Sequence, residues 1–385
     1  MKVLVAQKVV AIAGSETYLL NLLPALNKNG IQADFLILFP KGQEADIKKF
    51  EARLLLEQVN VFKVPVGRIP SWGELKEVYE VIKSGQYDIL HSNLLDADMI
   101  FASIKMLYNR KLVIVSGKHG YQESYNNAYG FDPSKRKLNF YWICAKFAEF
   151  FINRSYAISE GLYKLYTGLG ICKRDKLTLL HYGFDFDDHF EFQERFRFGS
   201  PQLVIVGRLT EFKGHRFAIL ALKILVKRYP SIKLVIVGWG ELKNELEELA
   251  AKMQLQENII FTGFHDKPRD IMYTSDIVLL PSVSEGFGIV VLEAMSVKRP
   301  VVAFNVPSPS EIFQHRRTGL LAQPYSVEEY ADLISELIES KNLREELASN
   351  AYIQLKELYT LDRMTSETID LYKKVLGEIN GINIL

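Results

Sequence analysis

The chain has little cysteine, almost no net charge and no long apolar run. Its two cysteines, Cys144 and Cys172, form no metal-spaced pair and no disulfide framework, so both are expected as reduced thiols. Lys+Arg 47 against Asp+Glu 46 leaves a net charge of +1 over 385 residues. That excludes the strong basic excess of a dedicated nucleic-acid binder. No uninterrupted apolar stretch reaches membrane-spanning length. Gln7 and Lys8 break the first apolar run too early for a signal peptide, so a cytoplasmic location is expected. The Gly-x-Gly-x-x-Gly of dinucleotide binders is missing after the first strand, which counts against a nicotinamide oxidoreductase. Internal repeats and low-complexity tracts are also lacking.

What is present is ample core material, 48% hydrophobic, in a length that suits two domains. Apolar strands are predicted at 2–10, 33–39, 85–92, 111–116, 155–159 and 177–180, and again at 203–209, at 233–240 with its turn, near 261, at 276–281 and at 300–304. Helical stretches alternate with them. That pattern implies an α/β protein with parallel sheets and ligands at the strand C-termini. Residues 186–200, charged and aromatic, read as a connection between the two halves. The charged helix from Glu241 reads as a solvated face.

The chain is organised around Glu285-Gly286-Phe287-Gly288-Ile289, between the apolar strand ending Leu279-Leu280-Pro281 and a helical run through Glu293. Gly286 and Gly288 let backbone approach a ligand closely. Amides opening the helix suit an anion. Glu285 stands just before them, where it would repel a phosphate, so a polyhydroxyl group beside it makes better sense. Glu293, eight positions on, reaches another part of the same ligand. A plain glycine turn is the alternative reading of this stretch taken by itself. Upstream, Arg208 and Lys213 follow a buried strand five residues apart, as a planar fork and a point charge suited to a diphosphate.

The stretch resembles the signature of the retaining glycosyltransferases of family 4, a Glu, seven residues and a second Glu with Gly-Phe-Gly between. Gly207-Arg208, Lys213-Gly214, Glu16 and Glu311 fit further family positions. The resemblance implies the GT-B fold, two Rossmann-like domains facing each other across a cleft. It would divide the chain into 1–185 on the acceptor side, a connection at 186–200, 201–362 for the nucleotide sugar, and a terminal helix at 363–385 crossing back. It further implies that Arg208, Lys213, Gly14, Gly288 and Ile289 hold the donor diphosphate. Glu285, Gly286 and Phe287 would meet the donor sugar, with Glu285 and His119 catalytic. Glu293, Gly263 and Phe264 would hold the ribose and base.

The implied activity is transfer of a sugar, with retained configuration, from a UDP- or GDP-sugar to a hydroxyl of a glycan or lipid-linked acceptor. No cofactor and no metal are implied, because the two cations take the metal's place. Asp96-Ala97-Asp98 and Asp185-Phe186-Asp187 are read as structural. Some positions depart from the family pattern. Ala13 replaces a glycine, Gly120 follows His119 where an Asp is usual, Trp239 lies between Gly238 and Gly240, and Pro307 and Pro309 stand where glycines precede Glu311.

Residues 121–154 hold Tyr121, Tyr125, Asn126, Asn127 and Tyr129, then Lys135-Arg136-Lys137 and the run Phe140-Tyr141-Trp142. Two readings stand for them. One is contact with anionic lipid at the inner face of a membrane, or with a lipid-linked acceptor. The other, favoured by the interleaving of Ile143, Ala145 and Ala148, is a helix buried in the first domain's core. His91 is expected to be a loop histidine satisfied by backbone. Competing functional readings are a GT-B nucleotide-sugar epimerase or hydrolase and an idle sugar-nucleotide binder.

Overall fold

The computed structural model describes residues 1–10, 14–122, 130–136, 139–186, 196–379 and 381, and the side chains of all these but 45 and 46. The chain splits into two compact units. Unit 1 comprises Met1–Gln122, Phe131–Asp185 and Thr360–Leu385; unit 2 is built on Phe186–Tyr359.

Unit 1 runs β1 (Lys2–Lys8), α1 (Gly14–Lys28), β2 (Gln32–Pro40), α2 (Glu44–Leu56), β3 (Val61–Val66), α3 (Trp72–Gly85), β4 (Ile89–Asn93), α4 (Leu94–Leu107), β5 (Ile114–Lys118), α5 (Phe140–Phe151), β6 (Arg154–Ala157), α6 (Glu160–Gly168) and β7 (Leu177–Leu179). Unit 2 runs β8 (Gln202–Val206), α7 (His215–Leu225), β9 (Lys233–Val237), α8 (Lys243–Lys252), β10 (Ile259–Gly263), α9 (Pro268–Thr274), β11 (Ile277–Leu280), α10 (Ile289–Ser296), β12 (Val301–Phe304), α11 (Pro309–Ile312), β13 (Leu320–Ala322), α12 (Val327–Glu339) and α13 (Lys341–Leu358). The last helix, α14 (Leu361–Ile379), belongs to unit 1 and packs on α1. It begins two residues before the expected 363.

Both sheets are parallel throughout. Their strand orders are β3-β2-β1-β4-β5-β6-β7 and β10-β9-β8-β11-β12-β13. Each unit's first strand lies mid-sheet, and the strand order reverses beside it. In such sheets the strand C-termini at the reversal point form the natural ligand site. Helices shield the faces, so β2, β4, β5, β11 and β12 are buried almost end to end. That burial is why they read as continuous apolar runs. The strand β3 was not expected. Lys63 and Pro65 interrupt its apolar pattern, and it survives because it is the sheet edge, pairing only with β2.

Two expectations for unit 1 are corrected. His91 is a fully buried strand residue, and two tyrosine hydroxyls rather than backbone satisfy it. Its Nδ1 lies 2.6 Å from Tyr372 and its Nε2 2.9 Å from Tyr156. The helix α5 buries its aromatics only in part, with Phe147 and Phe151 packed on the unit 1 core. It turns Ala145, Ala148 and Glu149 inward and leaves Phe140, Ile143 and Phe150 exposed. Tyr125, Asn126, Asn127, Tyr129, Lys137 and Asp187 lie outside the described residues.

Glu149 can face inward because Lys118 meets it at 3.2 Å, and Lys118 also bonds Asp98 at 2.8 Å. Ser92 and Ser116 donate to Asp98, and Ser155 donates to Glu149. Burial works against the charge on Lys118, but Asp98 and Glu149 outweigh it and hold its pKa above the ordinary range. Asp98, one of the Asp-x-Asp acids, is therefore used up within the core. Replacing Lys118 with Met strands two buried carboxylates. Chemical denaturation should show a loss of about 3–5 kcal/mol; a loss under about 1 kcal/mol would mean the carboxylates do not depend on the amine.

Candidate active site

In unit 2 the turns after β8 and β11 are locked together. Gly214 has φ of +70, and a Cβ there would come within 1.9 Å of the Pro281 carbonyl oxygen. Val283 N–H donates to the Phe212 carbonyl at 2.8 Å. This close crossing sets Lys213 against Glu285. The Lys213 amine bonds both carboxylate oxygens, at 2.7 and 2.9 Å, and the Ser282 hydroxyl donates to one of them at 2.7 Å. Glu285 is 5% exposed, so the pair is partly shielded from solvent screening. Arg208 is exposed, and its guanidinium lies 5.8 Å from the Phe212 ring centre, with the Lys213 amine 5.7 Å from the same ring. Both cations thus lie near one aromatic ring.

Beyond Glu285 the chain enters α10. Gly288 caps it at φ of +87, a left-handed position that suits glycine, and Ile289 opens the first turn. The Phe287 side chain is buried against Tyr359, with ring centres 5.8 Å apart, so only its backbone is left to a ligand. The Phe287 carbonyl accepts from the Ser308 hydroxyl. Ser308 itself sits at φ of +82 and leads into α11, where Pro309 takes the first helical position. Of the two prolines in this loop Pro309 thus suits a helix start, and between them Ser308 anchors its positive-φ turn through its own side chain.

Glu293 lies in the second turn of α10, partly buried. Burial pushes its pKa up to about 7, although Arg269 pulls the other way. Gly263, at φ of +72, ends β10, and Phe264 follows it, exposed. Trp239 is also exposed, at the end of β9, and its carbonyl accepts from Leu209 N–H at 2.8 Å, next to Arg208.

The remaining predicted residues are in unit 1. Gly14 starts α1, and its carbonyl accepts from Tyr182 at 2.9 Å. Glu16 is buried and accepts from Gln7 at 2.6 Å. His119 follows β5, with Nε2 2.7 Å from Asn93 Oδ1 and its ring packed edge-on against Tyr18. Burial, with His91 and Lys118 nearby, lowers the His119 pKa to about 3, so the ring is neutral at neutral pH. The sequence reading missed Ser282 and the Asn93–Tyr156–Tyr18 set behind His119. Only Asn93, at the end of a buried run, carried a local signal. Among the described residues no cluster of three His, Cys, Asp or Glu could hold a metal.

Two family models match this chain in tandem. Residues 12–188 match the Glycosyltransferase Family 4 model, and residues 187–354 match the Glycosyl transferases group 1 model. The chain belongs with the GT-B glycosyltransferases. An uncharacterized glycosyltransferase of Methanocaldococcus jannaschii is 31% identical over 52% of this chain and 54% of its own length. The O-antigen biosynthesis glycosyltransferase WclY of Escherichia coli is 24% identical over 76% of this chain and 81% of its own. This chain thus spans about half the length of the first relative. Anabaena HepE, solved in complex with UDP and glucose, superposes with a TM-score of 0.81 at 19% identity, covering 97% of this chain and 100% of its own. That likeness concerns the fold.

Glu293 carries a pH signature. Its folded pKa lies above the ordinary 4.5, so its contribution is full below that value and is lost as pH rises through about 7. Glu293→Gln should therefore gain stability relative to the parent protein between about pH 5 and about pH 8. Thermal melts across that range check this; a constant offset would place the carboxylate in solvent.

Proposed function

We propose that this protein is a retaining glycosyltransferase. It moves a sugar from a UDP- or GDP-sugar to a hydroxyl of a glycan or lipid-linked acceptor in cell-surface polysaccharide or glycolipid assembly. The observation that carries the reading is the Lys213–Glu285 pair, set beside the opening of α10 with Arg208 across the Phe212 ring. A diphosphate is dianionic or more and takes Arg208, Lys213 and the Gly288–Ile289 amides. Once the phosphate draws the Lys213 amine, Glu285 is released to accept bonds from sugar hydroxyls. Gly286 and the Phe287 backbone lie along the same sugar. Glu293 takes the ribose hydroxyls, and the ends of β9 and β10, with Gly263 and Phe264, take the base.

In the reaction the bond between the anomeric carbon and the phosphate oxygen breaks. A bond from that carbon to the acceptor oxygen forms on the same face, and the leaving phosphate oxygen receives the acceptor proton. The protein's share is positioning and stabilisation of the leaving charge. The two cations do this without a metal. Unit 1 takes the acceptor, and Gly14 and the neutral His119 ring are the ligand-binding groups assigned to it. The work is cytoplasmic, at the inner face of an anionic membrane where the acceptor is lipid-linked. Anabaena HepE was also solved with UDP-glucose, which makes that compound the first donor to test.

Glu285→Ala should lower kcat by about 10²-fold or more while UDP affinity is kept or increased, since a competitor for Lys213 is removed. A fall in affinity with kcat intact would remove Glu285 from the sugar. Lys213→Ala and Arg208→Ala should each weaken UDP or GDP binding by about tenfold or more in calorimetry. Unchanged affinity in both would remove the clamp.

A further inference from the structure

The helix α5 is amphipathic the wrong way round for a solvent-facing helix. Its inward face carries Ala145, Ala148 and the Lys118-bound Glu149, with the partly buried Phe147 and Phe151 packing on the core beside them. Its outward face carries three large apolar residues. Phe140 is 74% exposed, Ile143 56% and Phe150 79%. Positions 140, 143, 147 and 150 follow the 3–4 helical spacing, so these side chains form one stripe about 15 Å long. Phe147 and Phe151 anchor the base of that stripe, packing on the unit 1 core, with Phe151 5.1 Å from Phe150 and 5.3 Å from Phe147. The three exposed side chains present on the order of 400 Å² of apolar surface, as large as the main patch on a typical monomer.

The charge around the stripe is mostly positive among the described residues. The only acid of α5 is the buried Glu149. Lys135 and Arg136, just before the helix, are exposed, and Arg136 lies 5.0 Å from the Trp142 ring. Trp142 donates to the Leu169 carbonyl at 3.0 Å, and Lys146 donates to the Gly170 carbonyl. These bonds dock the turn after α6 against the helix, and that turn continues into exposed Lys173 and Arg174. Asp175 is an exposed acid adjoining them, and Asp132, partly exposed, lies three residues before Lys135.

We infer that the α5 stripe is a docking surface for an anionic lipid bilayer, with Phe140, Ile143 and Phe150 entering the interface and the surrounding Lys and Arg meeting phosphate headgroups. Apolar insertion combined with a basic rim is the chemistry that interfacial helices use. A second copy of this chain fits worse. A twofold contact through the stripe would bring basic rim against basic rim, with no exposed acid on the helix to offset it. The inference deepens the membrane part of the proposed function and rests on it only for its purpose; the surface itself is independent of which reaction occurs.

The test uses the full chain and vesicles of phosphatidylcholine, alone or with phosphatidylglycerol. The protein should float with the anionic vesicles, lose most of that binding at high salt, and show a blue shift of tryptophan emission on binding. Phe140→Ser/Ile143→Ser/Phe150→Ser should reduce vesicle partitioning by about tenfold or more, and Lys135→Ser/Arg136→Ser should reduce it for anionic vesicles alone. All five sites are exposed, and unchanged circular dichroism checks the fold. Failure of the parent protein to float, or flotation undiminished in the apolar triple variant, overturns the inference. So does a concentration-dependent dimer that the triple variant abolishes without any flotation, since a second copy would then be the occupant. Sugar transfer to a water-soluble acceptor should be unaffected by the triple variant. Flotation without any transfer would sink the enzymatic reading and leave the surface standing; transfer without flotation would do the reverse.

Discussion

The contact between Lys213 and Glu285 is the constraint on which the candidate site depends. An amine and a carboxylate this close, at the partly shielded C-terminal end of the central strands, attract by about 4 kcal/mol gross at an effective dielectric near 20. Desolvation takes back much of that, so the pair is a weak source of stability. Its value is positional. The carboxylate keeps the amine oriented when no anion is present, and Ser282 keeps the carboxylate oriented in turn. An incoming diphosphate then competes for a cation already in place rather than recruiting a freely moving lysine.

Backbone makes that contact possible. The β8 and β11 turns approach so closely at Gly214 and Pro281 that no side chain fits between them. Ser308 shows another solution to a similar demand. It holds a left-handed backbone without being glycine, because its hydroxyl bonds the Phe287 carbonyl across the turn. That bond ties the loop after β12 to the Glu285–Gly288 loop, so two segments far apart in sequence share one geometry.

Unit 1 handles polar groups differently, by burying them in networks that link side chains from several elements. Tyr156 sits among His91, Tyr18 and Asn93, and Tyr372 reaches in from α14. The C-terminal helix is therefore part of the hydrogen bonding behind His119, not an appendage. Burial without a charged partner keeps both histidines neutral. Burial with two carboxylates keeps Lys118 charged. The same desolvation thus has opposite outcomes, decided by what lies within about 3 Å.

Sequence alone determined the α/β class and the two units, because parallel strands buried on both faces must be apolar from end to end and are visible as such. It also singled out Arg208, Lys213, Glu285 and Gly288, since glycines and charges directly after apolar runs are local signals. It failed at β3, where edge position rather than composition makes a strand of Val61–Val66. It was half right at α5, where Ala145, Ala148, Phe147 and Phe151 turn to the core but Ile143 does not, because spacing cannot say which face turns inward. Tertiary structure decided that Lys213 bonds Glu285, that Phe287 is core, that Ser308 anchors its positive-φ turn and that His119 is neutral. Each of these depends on the approach of segments remote in the chain, and hydrogen bonding and desolvation act only over the few ångströms that folding closes.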